Sequence, residues 1–294
     1  MLEPVNTGKQ NIQQKKSNNV KTKTNKLILG VLAIAALGFN SCKKENPPVT
    51  NTDSQQAKLA IYTKTAQKQA ITAQMFYKIG AEILPEMIAD TRMYMKTRDW
   101  DCAVITVDST VYPHVANIDF GGGCTDSKGR TFSGSIDISY TDSDLGNPGC
   151  VINATFNSFV MDSIQLDGTM NYRNDGPNGS GNEVGSLTFN TTSNFTMDFI
   201  RLNGVTTLSF EWVQARNTAF IDVNSNATDA YGTTYTTTTT TQLEQREGCE
   251  FYPKGVLLIQ SSGNPDEEID YGNGTCDNQA TSTINGTPTT ITLH

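Results

Sequence analysis

"SIDISY", residues Ser135–Tyr140, alternates its side chains with a period of two. Ile136, Ile138 and Tyr140 fall on one face of an extended chain, and Ser135, Asp137 and Ser139 on the other. The same device recurs downstream. "SIQLDGTMNY" (Ser163–Tyr172) aligns Ile164, Leu166, Met170 and Tyr172, and "NFTMDF" (Asn194–Phe199) aligns Phe195, Met197 and Phe199. "TLSFEW" (Thr207–Trp212) aligns Leu208, Phe210 and Trp212. The Asn/Asp/Gly clusters "RNDGPNGSGN" (Arg173–Asn182) and "DVNSNATD" (Asp222–Asp229) read as turns between such runs. The threonine run Thr236–Thr241 reads as a strand, threonine being a good strand former. Alternating strands joined by short turns imply antiparallel pairing with one polar face. The expectation for residues 99–294 is a mainly β domain of α+β class. It is an antiparallel meander, a sandwich or a strongly curved sheet, with a helix at its N-terminal side.

That helix is expected over residues 54–98, capped by Asp53 or Ser54. Phe76, Ile79, Ile83 and Met87 recur at helical spacing, while Lys64, Lys68 and Lys78 favour solvent. Pro85 removes an amide and predicts a kink near Glu82–Leu84. The mixed flanking charge points to packing on the domain rather than on a membrane.

Upstream, "KTKTNK" (Lys21–Lys26) is followed by "LILGVLAIAALGF" (Leu27–Phe39) and then by Asn40, Ser41 and Cys42. The apolar run is too short to span a bilayer, which needs about 20 residues. A basic region, a short apolar core and small residues form an export signal, residues 1–41. The cysteine that follows makes it resemble a lipoprotein signal with Cys42 as the lipid attachment residue. Ser41 before the cysteine, with no strict Leu-x-Gly-Cys ending, resembles the relaxed form of that signal in Bacteroidota. Residues 1–19 exceed what such a signal needs and read as a gene-start artefact, with Val20 as the start. Residues 42–53 are polar, hold two prolines and read as a flexible tether. Lys43, rather than aspartate, after the cysteine favours passage to the outer membrane. Removing residues 1–41, with six lysines and one glutamate, takes 22 basic and 30 acidic residues to 16 and 29. The formal net charge then moves from −8 to −13. Such a chain repels nucleic acid, so no nucleic-acid partner is expected.

Two distant stretches resemble one another: "NIDFGGGCTDS" (Asn117–Ser127) and "EIDYGNGTCDN" (Glu268–Asn278). Each closes a longer copy that runs cysteine, strand, turn, strand, glycine corner, cysteine. Folding the first copy about Val111–Pro113 brings Cys102 opposite Cys124. Folding the second about Ser261–Asn264 brings Cys249 opposite Cys276. Disulfides Cys102–Cys124 and Cys249–Cys276 are the expectation for an exported chain. No Cys-x-x-Cys zinc pattern is present. Asp119, Asp126, Asp270 and Asp277 could supply calcium ligands, yet no EF-hand-type loop occurs. The simpler reading is that glycines turn the backbone through positive φ while the aspartates accept amide hydrogen bonds. No metal and no cofactor are expected.

The order of a cysteine-led strand, "IDFGGGCTDSKGRTFSGSIDISY", a "DGT" strand (Asp167–Thr169) and "IDYGNGTCDNQATSTING" resembles a family of uncharacterised Bacteroidota envelope lipoproteins. The resemblance covers most of residues 100–294 and implies an envelope lipoprotein of unassigned activity, with no catalytic residue carried over. In that family a serine often stands where this chain has Cys150, in "NPGC". This supports Cys150 as the odd cysteine, expected to keep its thiol.

Nothing in the sequence assembles an active site. The chain has two histidines, His294 at its end and His114 in the expected first hairpin turn. A Gly-x-Ser-x-Gly elbow and a phosphate loop are both absent. Carboxylates alone leave a paired-acid glycosidase open by residue type, but "NPDEEID" (Asn264–Asp270) reads more simply as a charged hairpin turn. The expectation is a non-enzymatic surface binding or adhesion module for glycan or protein, with Trp212, Tyr231 and Tyr235 as candidate contact aromatics. The alternative is a structural or apolar-ligand carrier lipoprotein. A lipid-sized apolar cavity would favour the carrier and a filled core the binding module.

Overall fold

A computed structural model describes residues 51–83, 102–127, 129–142 and 147–293 of the chain. The expected signal, Cys42, the tether to residue 50, the kink at Pro85 and His294 lie outside the described residues.

The first element is a helix, α1 (Asn51–Tyr77), which continues as a π-helical segment over Lys78–Ile83. It begins three residues before the expected start, so Asp53 and Ser54 lie inside its first turn rather than before it. The widened segment falls just ahead of Pro85 in the sequence, whose ring would clash with a carbonyl four residues back in a regular helix.

Fourteen strands follow among the described residues. The first five are β1 (Val104–Asp108), β2 (His114–Asp119), β3 (Cys124–Thr125), β4 (Thr131–Tyr140) and β5 (Val151–Met161). The long central strands are β6 (Ile164–Pro177), β7 (Glu183–Phe195), β8 (Ile200–Val213), β9 (Thr218–Asp229) and β10 (Thr234–Arg246). The last are β11 (Lys254–Ser261), β12 (Glu267–Asn273), β13 (Gln279–Ile284) and β14 (Thr287–Thr292). All belong to one open antiparallel sheet in which, apart from the short β3 paired with β4, each strand lies beside its neighbours in sequence. The protein is therefore mainly β with one N-terminal helix, and its sheet is a meander.

The period of two carries through almost every strand. Ile136, Phe156, Leu187, Leu208, Ile221 and Leu257 lie on the inner face and are buried. The outer face is built of short polar side chains, as in the row Asn117, Asp137, Thr155, Thr169 and Asn190 across five strands. This alternation explains one departure from expectation. "DVNSNATD" is part of β9 and not a turn: Val223, Ser225 and Ala227 point inward, while Asp222, Asn224 and Asn226 face out. Asn and Asp disfavour strands in isolation, but on the solvated face of a central strand pairing on both edges overrides that preference. "NFTMDF" departs the other way. β7 stops at Phe195, and Thr196–Phe199 form the β7–β8 turn with Met197 and Phe199 exposed.

Helix α1 packs on the inner face, against β7, β8, β11 and β12. Phe76 stacks on Phe189 with ring centroids 4.0 Å apart, and Tyr62 stacks on Tyr235 at 5.8 Å. Polar ties fix its position along the sheet. The Tyr62 hydroxyl donates to the Ile259 carbonyl (3.3 Å), Gln74 Nε2 to the Glu250 carbonyl (2.8 Å) and the Tyr252 hydroxyl to the Ala73 carbonyl (3.4 Å). A Cβ at Gly80 would press on the tip of the Leu187 side chain, so the helix lies close to the sheet there. Gly168, in the "DGT" strand, has φ +128° and leaves no room either, a Cβ meeting the Asn190 carbonyl oxygen at 2.3 Å.

Candidate functional site

The repeated stretches form the same corner twice. In each, isoleucine and the aromatic residue point into the core: Ile118 and Phe120 in one, Ile269 and Tyr271 in the other, all buried. The aspartate between them faces out and accepts an amide two residues on. Gly121 N donates to Asp119 Oδ1 at 2.7 Å, and Gly272 N to Asp270 Oδ1 at 2.8 Å. Positive φ follows at Gly121 and Gly123 (+57° and +132°) and at Gly272 and Gly274 (+97° and +111°), where a side chain would be strained. The other two aspartates are used alike: Asp126 accepts the Arg130 amide (2.8 Å), and Asp277 the Gln279 amide (2.9 Å).

Each corner is closed by a disulfide, Cys102–Cys124 (Cα–Cα 5.6 Å) and Cys249–Cys276 (5.2 Å). The registers differ from simple facing hairpins. β1 and β2 pair Val104 with Asp119 and Asp108 with Val115, so Cys124 lies beyond the hairpin in β3 and is reached around the glycine corner. β11 and β12 pair Leu257 with Ile269, one residue from the expected register, with an irregularity between Lys254 and Val256. Extra residues at bends displace a register without separating the cysteines. Cys150 is in neither bond; its thiol is buried and donates to the Asp142 carbonyl at 3.5 Å. Two disulfides require an oxidising compartment and mark the domain as one that works outside the cytosol. Among the described residues no helix is long and apolar enough to cross a membrane.

The expected contact aromatics separate. Tyr231 is exposed in the β9–β10 turn. Tyr235 is buried, stacked on Tyr62, with its hydroxyl 3.1 Å from Asp229 Oδ2, and cannot serve as a contact residue. Burial, then the Asp229 carboxylate, pushes its hydroxyl up to about 12. Trp212 is half-buried and packs against the core. Besides Phe199, an exposed ring that sequence reasoning missed is Tyr112, 75% exposed in the β1–β2 turn. Its place beside Pro113 in that turn was the available signal. His114 opens β2, with Nδ1 2.9 Å from the Val111 carbonyl oxygen. In "NPDEEID" the turn ends before Glu267, which opens β12 and is fully buried.

Tyr112 stands in the turn between two strands that line a hollow of about 470 Å³ on the outer face. The hollow spans β1 to β5, and its polar groups come from Asp108, Asn117, Asp137, Ser139, Asn153 and Thr155, with Val107 and Val115 as apolar ground. Asp137 is held on both oxygens, by Asn117 Nδ2 (2.6 Å) and Asn157 Nδ2 (2.8 Å). Asn153 Oδ1 accepts from Asn171 Nδ2 at 2.9 Å. Asp108 accepts the Thr110 hydroxyl (2.5 Å) and amide (2.8 Å), contacts that hold its carboxyl below the usual range. Among the described residues no lysine or arginine lines the hollow. A pre-oriented, acidic, uncharged-amide surface offers acceptors and donors to hydroxyl groups and repels anions.

No protein-family model, curated protein or solved structure matches the chain.

Proposed function

We propose that the protein is a lipid-anchored envelope protein, attached through Cys42, whose β domain is a non-enzymatic surface binding module for a neutral glycan. The observation that carries this reading is the outer-face hollow of β1–β5. It combines fixed amide and carboxylate groups with small apolar ground and an exposed tyrosine in the adjoining turn, and no cationic side chain among the described residues lines it. Its size suits a small ligand and its chemistry suits hydroxyl groups. The carrier alternative requires an apolar cavity, whereas α1 and its stacked aromatics occupy the inner face over β7, β8, β11 and β12. The export signal and the resemblance to envelope lipoproteins support the anchoring, with the outer membrane as the expected site.

The experiment is a glycan array probed with the mature protein, followed by titration of any hit against Asp137→Ala and Asn153→Ala. Removing Asp137 deletes the acceptor that two amides orient, so a loss of roughly tenfold in affinity is expected. Retention of no glycan, or unchanged binding by both variants, would sink the assignment to this hollow.

A further inference from the structure

The two ends of the sheet differ. Because the strands form a meander, alternate hairpin turns collect at each end. One end carries the β5–β6, β7–β8, β9–β10 and β11–β12 turns, and there Met197, Phe199 and Tyr231 are 80%, 94% and 84% exposed. No other large apolar side chains among the described residues are as exposed. At the other end the turns at Asn178–Gly181 and Gln214–Asn217 are polar, and the β1–β2 turn exposes Val111 and Tyr112 to a lesser degree. Tyr112 is at that other end, beside the hollow.

The apolar tips are held outward. Asp198, between Met197 and Phe199, accepts Lys64 Nζ and Lys68 Nζ, each at 2.6 Å. The β7–β8 turn is thereby fixed to α1, with its two apolar residues on either side of the tie. Phe199 takes φ +55°, a conformation that glycine or asparagine adopts more readily. A phenylalanine there meets little of its own protein, so folding gives no reason for it.

Helix α1 enters the sheet at this end. Tyr62 is level with Tyr235, the second residue of β10, and Lys64 and Lys68 reach the β7–β8 turn. By Ala73 and Gln74 the helix has reached Glu250 and Tyr252, ahead of β11 at the opposite end. The helical residues before Tyr62 therefore run toward and past the tips, for roughly 16 Å at 1.5 Å each. Only about 30 Å of fully extended chain separates Asn51 from Cys42.

We propose that this end of the sheet lies against the lipid surface, with Met197, Phe199 and Tyr231 seated in its interfacial layer. The inference rests on the anchor at Cys42. The length and exit point of the chain outside the sheet name the occupant: the tether leaves from the end that bears the exposed apolar residues. Three side chains alone would bind lipid weakly, but an anchor within reach makes the contact intramolecular and raises its effective concentration. Tyr112, at the far end of the sheet beside the hollow, then lies distal to the membrane.

The test uses mature lipidated protein reconstituted in phosphatidylcholine vesicles, with and without brominated acyl chains. Phe199→Trp and Tyr231→Trp are compared with Arg216→Trp, in the turn at the far end, and with wild type for the native tryptophan signal. Both tip variants should show blue-shifted emission that brominated lipid quenches, and the Arg216 variant should show neither. Water-like, unquenched emission from both tips in protein that floats with the vesicles would overturn the orientation while leaving the anchor standing. Blue-shifted but unquenched emission would assign the tips to a protein partner or a second copy and overturn it too. Protein that does not float with vesicles would instead remove the anchor, and the proposal with it.

Discussion

At the residue scale, Glu267 is the least expected feature, a carboxyl with no solvent exposure at the start of β12. Its Oε1 accepts the Ser282 hydroxyl at 2.6 Å, and its Oε2 has no partner of hydrogen-bond geometry among the described residues. Burial pushes the carboxyl above its ordinary range, with Ser282 and then Gln67 acting in the opposite sense. A carboxyl raised in the folded state costs nothing while both states are protonated, below the unfolded value of about 4.3. As pH rises the unfolded chain ionises first, so stability is lost progressively until the folded pKa is passed. Glu267→Gln keeps the shape and removes the titration. Its melting temperature relative to wild type should rise over a pH window that opens at the unfolded value of about 4.3. A difference that stays flat across that window would show that burial does not shift this carboxyl. Nothing in "NPDEEID" marks Glu267 as the inward one; its neighbours are equally acidic, and only the β11–β12 register turns it to the core.

At the scale of elements, the strands were legible because one face of each is buried, and burial writes itself as alternation. Ile136, Ile138 and Tyr140 are all buried as their spacing implies. Alternation fails where polarity does not report burial. Phe195, Met197 and Phe199 mimic a strand, yet the last two are a turn, and β9 hides inside a polar string because its outer face from Asp222 to Thr228 is wholly Asn, Asp and Thr. The hollow was not legible at all, since its groups come from outer faces of strands whose order no local pattern specifies. Helix α1 and its π-helical continuation carry Phe76 and Ile79 on the buried face as their spacing implies, but the polar part of that face was not legible: Gln69, Gln74, Thr65 and Thr72 are buried beside Ala66 and Ala70. Thr65 and Thr72 return their hydroxyls to the Ile61 and Lys68 carbonyls, which makes burial tolerable for threonine. The apolar anchor of the element is Phe76. Phe76→Ala should cost about 3–5 kcal/mol in urea unfolding, as expected for a buried ring removed from a packed stack. A cost under about 1 kcal/mol would mean that α1 is an accessory to a sheet stable without it.

At the scale of the whole molecule, the repeated corners sit near the two margins of the sheet, one joining β1 to β3 and one flanking β11 and β12. An open sheet is most vulnerable at its margins, where unpaired strands fray or recruit foreign strands. Pro288 in the last strand, which has no amide to offer, serves the same protection. Cys102→Ala and Cys249→Ala should each lower unfolding free energy by roughly 3–4 kcal/mol if loop closure dominates. The two effects should add in the double variant, because the bonds are remote from one another. Losses well short of additive would show that the margins are coupled through the core. The meander has a further consequence, for assembly. Apart from the short β3, each strand pairs only with strands adjacent in sequence, so an exported chain can zip from hairpin to hairpin without waiting for distant strands, the topology associated with fast folding. Every strand added covers the edge its predecessor exposed. The nascent sheet thus advances with a single growing front, and whole hairpins could be gained or lost over evolutionary time without rethreading the rest.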